Sequence, residues 1–161
     1  MNARTLRRSA ASARRLIPAS GDLTGFVDAV ARSRGRPIVL LGAAFEADAP
    51  SGVWVVTELR DYIAYPSDAS AARRAAIVCH EVAHMLLGHD PPAGTGGLAS
   101  LAAAAAPTLD PDVAARFLAR HGYAGGEEAD AEGLGTWLAA ELARRERLAR
   151  APQDRVYDRM R

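Results

Sequence analysis

The sequence predicts an α+β fold, in which a small antiparallel sheet packs against helices that precede and follow it. Two patterns support this prediction. Between residues 38 and 65, three short runs rich in β-branched and aromatic side chains are separated by Gly, Pro or polar residues. On both sides of these runs, apolar residues recur at the three- and four-residue spacing of amphipathic helices. A chain of 161 residues suits one domain with a moderate core.

The first 19 residues form an arginine-rich segment, which we separate from a domain at residues 20–150. Its arginines lie among Ser and Ala, a pattern typical of a solvated helix or arm that ends at Pro18. Because no continuous apolar stretch follows the arginines, the segment is not a secretory signal. No run in the sequence reaches the roughly 18 to 20 apolar residues needed to span a bilayer. We therefore expect a cytoplasmic protein without a membrane partner.

The domain begins with a helix predicted at residues 23–31. Asp22 suits the N-cap position of this helix, and Gly35 and Pro37 stop it. The three predicted strands that follow are residues 38–41, 53–57 and 60–65. The last strand directly precedes the next helix, so its backbone is the candidate edge for pairing with an extended peptide.

The next helix carries the motif on which the expected function depends. Residues 77–89 read I-V-C-H-E-V-A-H-M-L-L-G-H. Four residues are a little over one helical turn, so His80 and His84 project from one face, where two neutral imidazoles can bind one zinc ion. Glu81 lies beside them and can act as a general base for water activated by zinc. This is the chemistry of a metallopeptidase.

The alternative for this motif is a buried helix whose polar side chains are hydrogen-bonded for stability alone. A helix with apolar residues nearly all round belongs in a protein interior, where two histidines and a glutamate are costly unless something satisfies them. Zinc is the better interpretation. Cys79 lies about 100° from His80 around the helix and is expected to be a buried structural thiol. His89 is expected to face away from the metal as a polar helix end.

The C-terminal half begins with a loop and ends in a long helix. Two shorter helices are predicted at residues 98–106 and 113–121, the second opened by a proline in its first turn. The long helix is predicted at residues 127–150, and residues 151–161 form a basic tail. Four acidic residues cluster where the long helix begins, a position that the helix dipole also favours.

A zinc peptidase has three protein ligands and an open position for water. The residues alone leave the third ligand open among Glu127, Glu128, Asp130 and His121. Glu128 and Glu132 are four apart and share a helix face, so one could bind zinc while the other accepts a hydrogen bond from a ligand imidazole.

Two motifs of this sequence together resemble the ImmA/IrrE family of small cytoplasmic metallopeptidases: H-E-V-A-H-M-L-L-G-H at residues 80–89 and E-x-x-A-E-x-L-G at residues 128–135. The resemblance covers about residues 54–143. It implies a minimal zincin-like domain, in which the sheet packs on the HExxH helix and on a C-terminal Glu-bearing helix. The second motif departs from the family pattern at two places. Glu132 stands where the family usually has Asn or Asp, and Leu134-Gly135 stands in place of Phe-Ala.

The resemblance also implies roles for individual residues. By position, the zinc ligands are His80, His84 and Glu128, and the general base is Glu81. Glu132 is then the candidate for orienting a ligand imidazole. Independently of the resemblance, His121 and Tyr123 are candidates for donors that stabilise the oxyanion of a tetrahedral intermediate, the alternative being that both cap a helix.

The expected function is therefore zinc-dependent cleavage of a regulatory protein, for which the resemblance implies a helix-turn-helix repressor. The alternative is a zincin-fold module with weak or no catalysis that acts by binding a partner protein. The net charge of +1 gives no reason to expect direct binding of nucleic acid. All 20 basic residues are arginine, which we interpret as codon bias in a GC-rich bacterium. The single cysteine excludes an internal disulfide and is compatible with a reducing cytosol.

Overall fold

The computed structural model describes residues 3–45, 51–57, 59–89 and 125–151 of the chain. The described elements, in chain order, are α1 (Ala3–Arg14), α2 (Leu23–Arg34), β1 (Ile38–Ala43), β2 (Val53–Val56), β3 (Asp61–Pro66), α3 (Ala71–Leu87) and α4 (Gly125–Arg150). The fold is α+β, as predicted. No helix among these is both long enough and apolar enough to cross a bilayer. The helices predicted at residues 98–106 and 113–121, together with His121, Tyr123 and residues 152–161, lie outside the described residues.

The sheet is mixed, which corrects the prediction of an antiparallel sheet. β3 is its central strand and pairs in parallel with β1 and antiparallel with β2. β1 and β2 follow each other in the chain but lie at opposite edges, because β3 inserts between them. The burial of β3 is consistent with its central place. Five of its six residues are buried, as expected of a strand covered on both faces, whereas the edge strand β1 is mostly half-buried.

The central position of β3 also corrects the prediction that this strand offers an edge to a peptide. Both edges of β3 are already hydrogen-bonded to neighbouring strands. A hairpin connects β2 to β3, and in it the Thr57 N–H donates to the Arg60 carbonyl at 3.0 Å. In the described sheet the edge strands are therefore β1 and β2.

Helix α3 lies at the centre of the core. It begins at the N-cap Ser70, whose side chain accepts a hydrogen bond from the Arg73 N–H at 3.2 Å. Val78 and Val82 are fully buried in one cluster with Ile63 of β3 and Leu138 of α4. The interface between α3 and α4 is the most extensive between any two described elements. This interface positions the candidate site.

The N-terminal segment is a helix docked on α4 and not a loose arm. Ala13 and Ile17 are buried in the main core cluster. Arg145 of α4 donates to the carbonyl of Arg14 at 3.1 Å and also to that of Ile17. The turn that follows passes so close to α4 that a Cβ on Gly21 would meet backbone atoms at 2.3 to 2.4 Å, and its φ of 70° also favours glycine.

Candidate metal centre

The two motif histidines meet on the surface of α3 that faces α4. His80 and His84 are one turn apart, and their Nε2 atoms lie 3.1 Å from each other. The His84 side chain is fully buried, whereas 20% of the His80 side chain is exposed. Two nitrogens bound to one tetrahedral zinc ion at about 2.0 to 2.1 Å would be about 3.4 Å apart. The observed separation is close to this value.

Glu128 of α4 brings an oxygen ligand to the same point. Its Oε1 lies 3.0 Å from His80 Nε2, and its Oε2 lies 3.6 Å from His84 Nε2. Among the described residues, the metal-binding set that converges in this way is His80, His84 and Glu128. Glu127 and Asp130 are not part of it, and His121 lies outside the described residues. One ligand atom from each of the three residues lies within 4.8 Å of the others, so the group could hold one small metal ion with nitrogen and oxygen ligands.

A glycine in α4 allows α3 and α4 to approach closely beside His80. Gly135 lies two turns after Glu128 on α4 and is buried against α3. A Cβ at this position would lie 2.8 Å from the His80 Cα and 3.1 Å from the His80 nitrogen. Any side chain would therefore push α4 away from the backbone of His80. The small residue at position 135 thus has a local physical reason.

The other nitrogen of His80 also faces α4. Its Nδ1 lies 3.4 Å from Oε2 of Glu132, the residue that the sequence singled out for orienting a ligand imidazole. Glu132 is itself 73% exposed at its side chain and accepts a hydrogen bond from Thr136 Oγ1 at 3.3 Å. One helix face of α4 thus presents a carboxylate to each nitrogen of His80.

Glu81 is a buried acid beside the three candidate ligands. Only 5% of the residue is exposed. Burial and, to a smaller extent, the negative charge of Glu128 raise the pKa of its carboxyl, and a hydrogen bond from the Trp54 backbone of β2 lowers it; the net pKa is about 8. A group that moves protons near neutral pH needs a pKa in this range.

The approach of β2 to Glu81 depends on the residue before the strand. A Cβ on Gly52 would lie 3.3 Å from Glu81 Oε1 and 2.3 Å from Ile77 Cγ2. Gly52 therefore lets the edge strand come close to α3. Neither the role of Gly52 nor that of the Trp54 amide was predicted from the sequence, although a glycine directly before a strand is a signal for a close backbone approach.

Burial also sets the charge of the second histidine. Burial, together with the smaller effects of the neighbouring His80 and His89, lowers the pKa of His84 to about 3. The imidazole of His84 is therefore neutral at pH 7, the form in which histidine binds metals. Cys79 is fully buried on another face of α3, and burial raises the pKa of its thiol to about 12. Its burial agrees with the predicted structural role.

His89 lies at the polar end of α3, as the sequence predicted, but it also contacts one of the candidate ligands. Its Nδ1 lies 2.9 Å from Nδ1 of His84, on the side of that ring remote from the candidate metal position. The signal for this contact is Gly88, whose left-handed conformation turns the chain back over the last turn of α3.

Comparison with protein-family models, with curated proteins and with solved structures found no match to this chain. The assignment of the site therefore rests on its own geometry and chemistry.

Proposed function

We propose that this protein is a zinc-dependent peptidase of the ImmA/IrrE type that cleaves a regulatory protein, such as a helix-turn-helix repressor. The observation that carries the proposal is the convergence of His80, His84 and Glu128 on one point beside a buried Glu81. A structural ion site would need no acid of this kind next to it. A bound Zn²⁺ would supply Lewis-acid chemistry, which polarises a peptide carbonyl and makes water a better nucleophile at neutral pH.

The side chains of this protein would bind the metal and transfer the proton. The neutral His84 and the partly exposed His80 offer lone pairs, and Glu128 supplies a negative charge that offsets part of the charge of a dication. Glu81 would take a proton from water and pass it to the leaving amine, and the Trp54 N–H keeps its carboxylate in place. A dication held nearby would favour the ionised, basic form of Glu81 over the protonated form that burial favours.

The described edge strand nearest to Glu81 is β2, through Gly52 and Trp54. An extended peptide that adds to this sheet close to the site would therefore pair with β2. This replaces the role that the sequence analysis gave to the strand preceding α3.

The first experiment measures metal binding. Purified chain, stripped with a chelator, is dialysed against Zn²⁺ and its metal content is measured by elemental analysis. We expect one zinc per chain in the wild type and a loss of at least tenfold in affinity in His84→Ala and Glu128→Ala, because each removes a ligand. Glu127→Ala is the matched control and should bind like the wild type. Failure of the wild type to bind zinc would overturn the proposed function.

A second experiment tests whether the close approach of the helices builds the site. Gly135→Ala should weaken zinc binding at least tenfold and destabilise the fold by about 1 to 3 kcal/mol, because the new methyl group meets the His80 backbone. Gly133→Ala on the same helix meets nothing within 4 Å. It should leave zinc affinity unchanged and stabilise the helix by about 0.5 to 1 kcal/mol. Equal behaviour of the two variants in calorimetry and zinc titration would contradict the assigned interface.

The third experiment separates a peptidase from a docking module. The zinc-loaded chain is incubated with a mixture of casein peptides, and new termini are identified by mass spectrometry. We expect cleavage that 1,10-phenanthroline abolishes and that Glu81→Gln reduces at least 100-fold without loss of zinc, since general-base catalysis contributes about that factor or more. Zinc binding without any cleavage, by wild type and variant alike, would favour the alternative, a zincin-fold module that binds a partner protein.

A further inference from the structure

The contact between His84 and His89 joins two rings through a single hydrogen bond. Their Nδ1 atoms are 2.9 Å apart, and the rings meet edge to face, with centroids 5.1 Å apart and planes inclined at 66°. One of the two nitrogens must carry the proton and the other must accept it. The contact therefore couples the tautomers of the two rings.

The backbone holds His89 in this place. Gly88 adopts φ 72° and ψ 26°, and after this reversal the His89 N–H donates to the His84 carbonyl at 3.1 Å. The Gly88 N–H donates to the Met85 carbonyl at 3.3 Å. These two bonds are the pattern of a Schellman helix end. His89 is thus connected to His84 both by its backbone and by its side chain.

The direction of the ring hydrogen bond follows from the other nitrogen of His84. Its Nε2 points toward His80 and Glu128, where a ligand needs a free lone pair. The proton of the neutral ring then resides on Nδ1, and Nδ1–H donates to His89 Nδ1. We propose that His89 is a positioning residue that fixes the tautomer and the orientation of the His84 imidazole for metal binding. This inference rests on the proposed metal site.

The two candidate histidine ligands are supported differently. The Nδ1 of His80 faces the exposed Glu132 at 3.4 Å, whereas that of His84 faces the half-buried His89 at 2.9 Å. A shorter contact in a less hydrated setting restricts the ring more strongly. Loss of His89 should therefore weaken metal binding more than loss of Glu132.

The test compares variants that differ in their ability to accept the hydrogen bond. His89→Phe keeps a planar ring but has no acceptor, whereas His89→Gln retains an acceptor oxygen. In zinc competition titrations we expect a 10- to 100-fold loss of affinity in His89→Phe, the range typical of residues that orient metal ligands. His89→Gln should stay within about threefold of the wild type, and Glu132→Gln should lose less than His89→Phe. Wild-type affinity in His89→Phe, or an equal loss in the Phe and Gln variants, would overturn the inference.

A second readout separates the hydrogen bond from the metal. In the zinc-loaded wild type, ¹⁵N NMR of the imidazoles should show His84 protonated at Nδ1 and not at Nε2. In the chelated wild type, it should show a proton shared between the Nδ1 atoms of His84 and His89, and this signal should be absent from folded His89→Phe, which circular dichroism would verify. If the wild type did not bind zinc, the proposed function would fail while the chelated spectrum would still decide the hydrogen bond. The absence of a shared proton in the chelated wild type would contradict the positioning role.

Discussion

Two buried carboxylates of this chain have opposite surroundings. Asp61, the first residue of β3, is fully buried and accepts hydrogen bonds from Arg34 at 2.9 Å and from Arg36 at 2.5 Å. Glu81 is nearly as buried, but it accepts a hydrogen bond from a backbone N–H and faces a second carboxylate, Glu128. Two guanidinium groups offset the charge of the first acid. For the second acid, burial and a like charge disfavour ionisation.

The difference separates a structural charge from a candidate for proton transfer. Arg34 also donates to the Met85 carbonyl at the end of α3 and lies over the Trp54 ring, so Asp61 and its arginines connect α2, the sheet and α3. A charge cluster that is satisfied in this way stabilises geometry and has little capacity for chemistry. A buried acid whose pKa is shifted toward neutrality, beside a set of metal-ligand side chains, is typical of a functional site.

Removal of the structural charge should have the largest effect on stability. Asp61→Asn leaves two guanidinium groups without their counter-charge, and we expect a loss of about 3 kcal/mol in the free energy of unfolding, measured by urea denaturation. Asp28→Asn, at an exposed position of α2, is the control and should change stability by less than about 0.5 kcal/mol. If the two variants were equally stable, Asp61 would not have the role assigned to it.

Replacement of Glu81 should have the opposite effect to replacement of Asp61 and should stabilise the metal-free protein at high pH. The pKa of Glu81 is raised to about 8 when folded and is near 4.5 when unfolded, so its contribution to stability is full below pH 4.5 and is lost as the pH rises to 8. Glu81→Gln cannot ionise and can still accept the Trp54 N–H. We therefore expect the free energy of unfolding of Glu81→Gln to exceed that of the wild type by at least about 1 kcal/mol at pH 8 and to equal it at pH 4. Chelated samples are needed, and parallel pH curves for the two proteins would contradict the assigned environment.

A third acid gives the reverse pH dependence. Bidentate hydrogen bonds from Arg144, at 2.7 and 2.8 Å, and a bond from Arg145 lower the pKa of Glu141 to about 2. The stabilisation is present above pH 4.5 and is lost as the pH falls toward 2. Glu141→Gln should lower the free energy of unfolding by about 1 kcal/mol at pH 7, a modest amount because Arg144 is partly exposed. It should also make the free energy of unfolding depend less on pH between pH 4.5 and pH 2. Glu146→Gln, in an exposed pair with Arg150, should cost less than about 0.5 kcal/mol.

Local patterns were sufficient to predict most of the described elements and the central pair of the site. The period of the helix alone puts His80 and His84 on one face, so their meeting needs no knowledge of the rest of the fold. Helix α2 ends at Gly35, and α3 contains the whole motif, as their sequence signals indicate. These features depend on neighbours within one or two turns.

The features that sequence analysis missed depend on distant contacts or on backbone geometry. Strand order could not be predicted, because which strand lies in the centre is decided by packing on both faces of the sheet. Asp61 is 25 or more residues away from both of its arginines, and no local pattern joins them. The contact of His89 with His84 depends on the left-handed conformation of Gly88, which ends the helix. If the helix continued, the His89 ring would point in another direction.

The last prediction concerns Cys79, a buried thiol on which removal of metal should have no effect. Its thiol is fully buried and its pKa is raised to about 12, whereas thiol reagents require an accessible thiolate. We expect labelling by iodoacetamide at pH 8 to be at least 100-fold slower in the native chain than in urea, with or without chelator.

This measurement also reports on the site, because Cys79 and His80 are fixed about 100° apart on α3. As long as the Cys79 thiol is buried in the core, the His80 side chain must point toward Glu128. Rapid labelling of the native chain would mean that this face of α3 is accessible. The rotation that exposes Cys79 would also carry His80 out of reach of Glu128, and the proposed ligand set would fail together with the burial of the thiol.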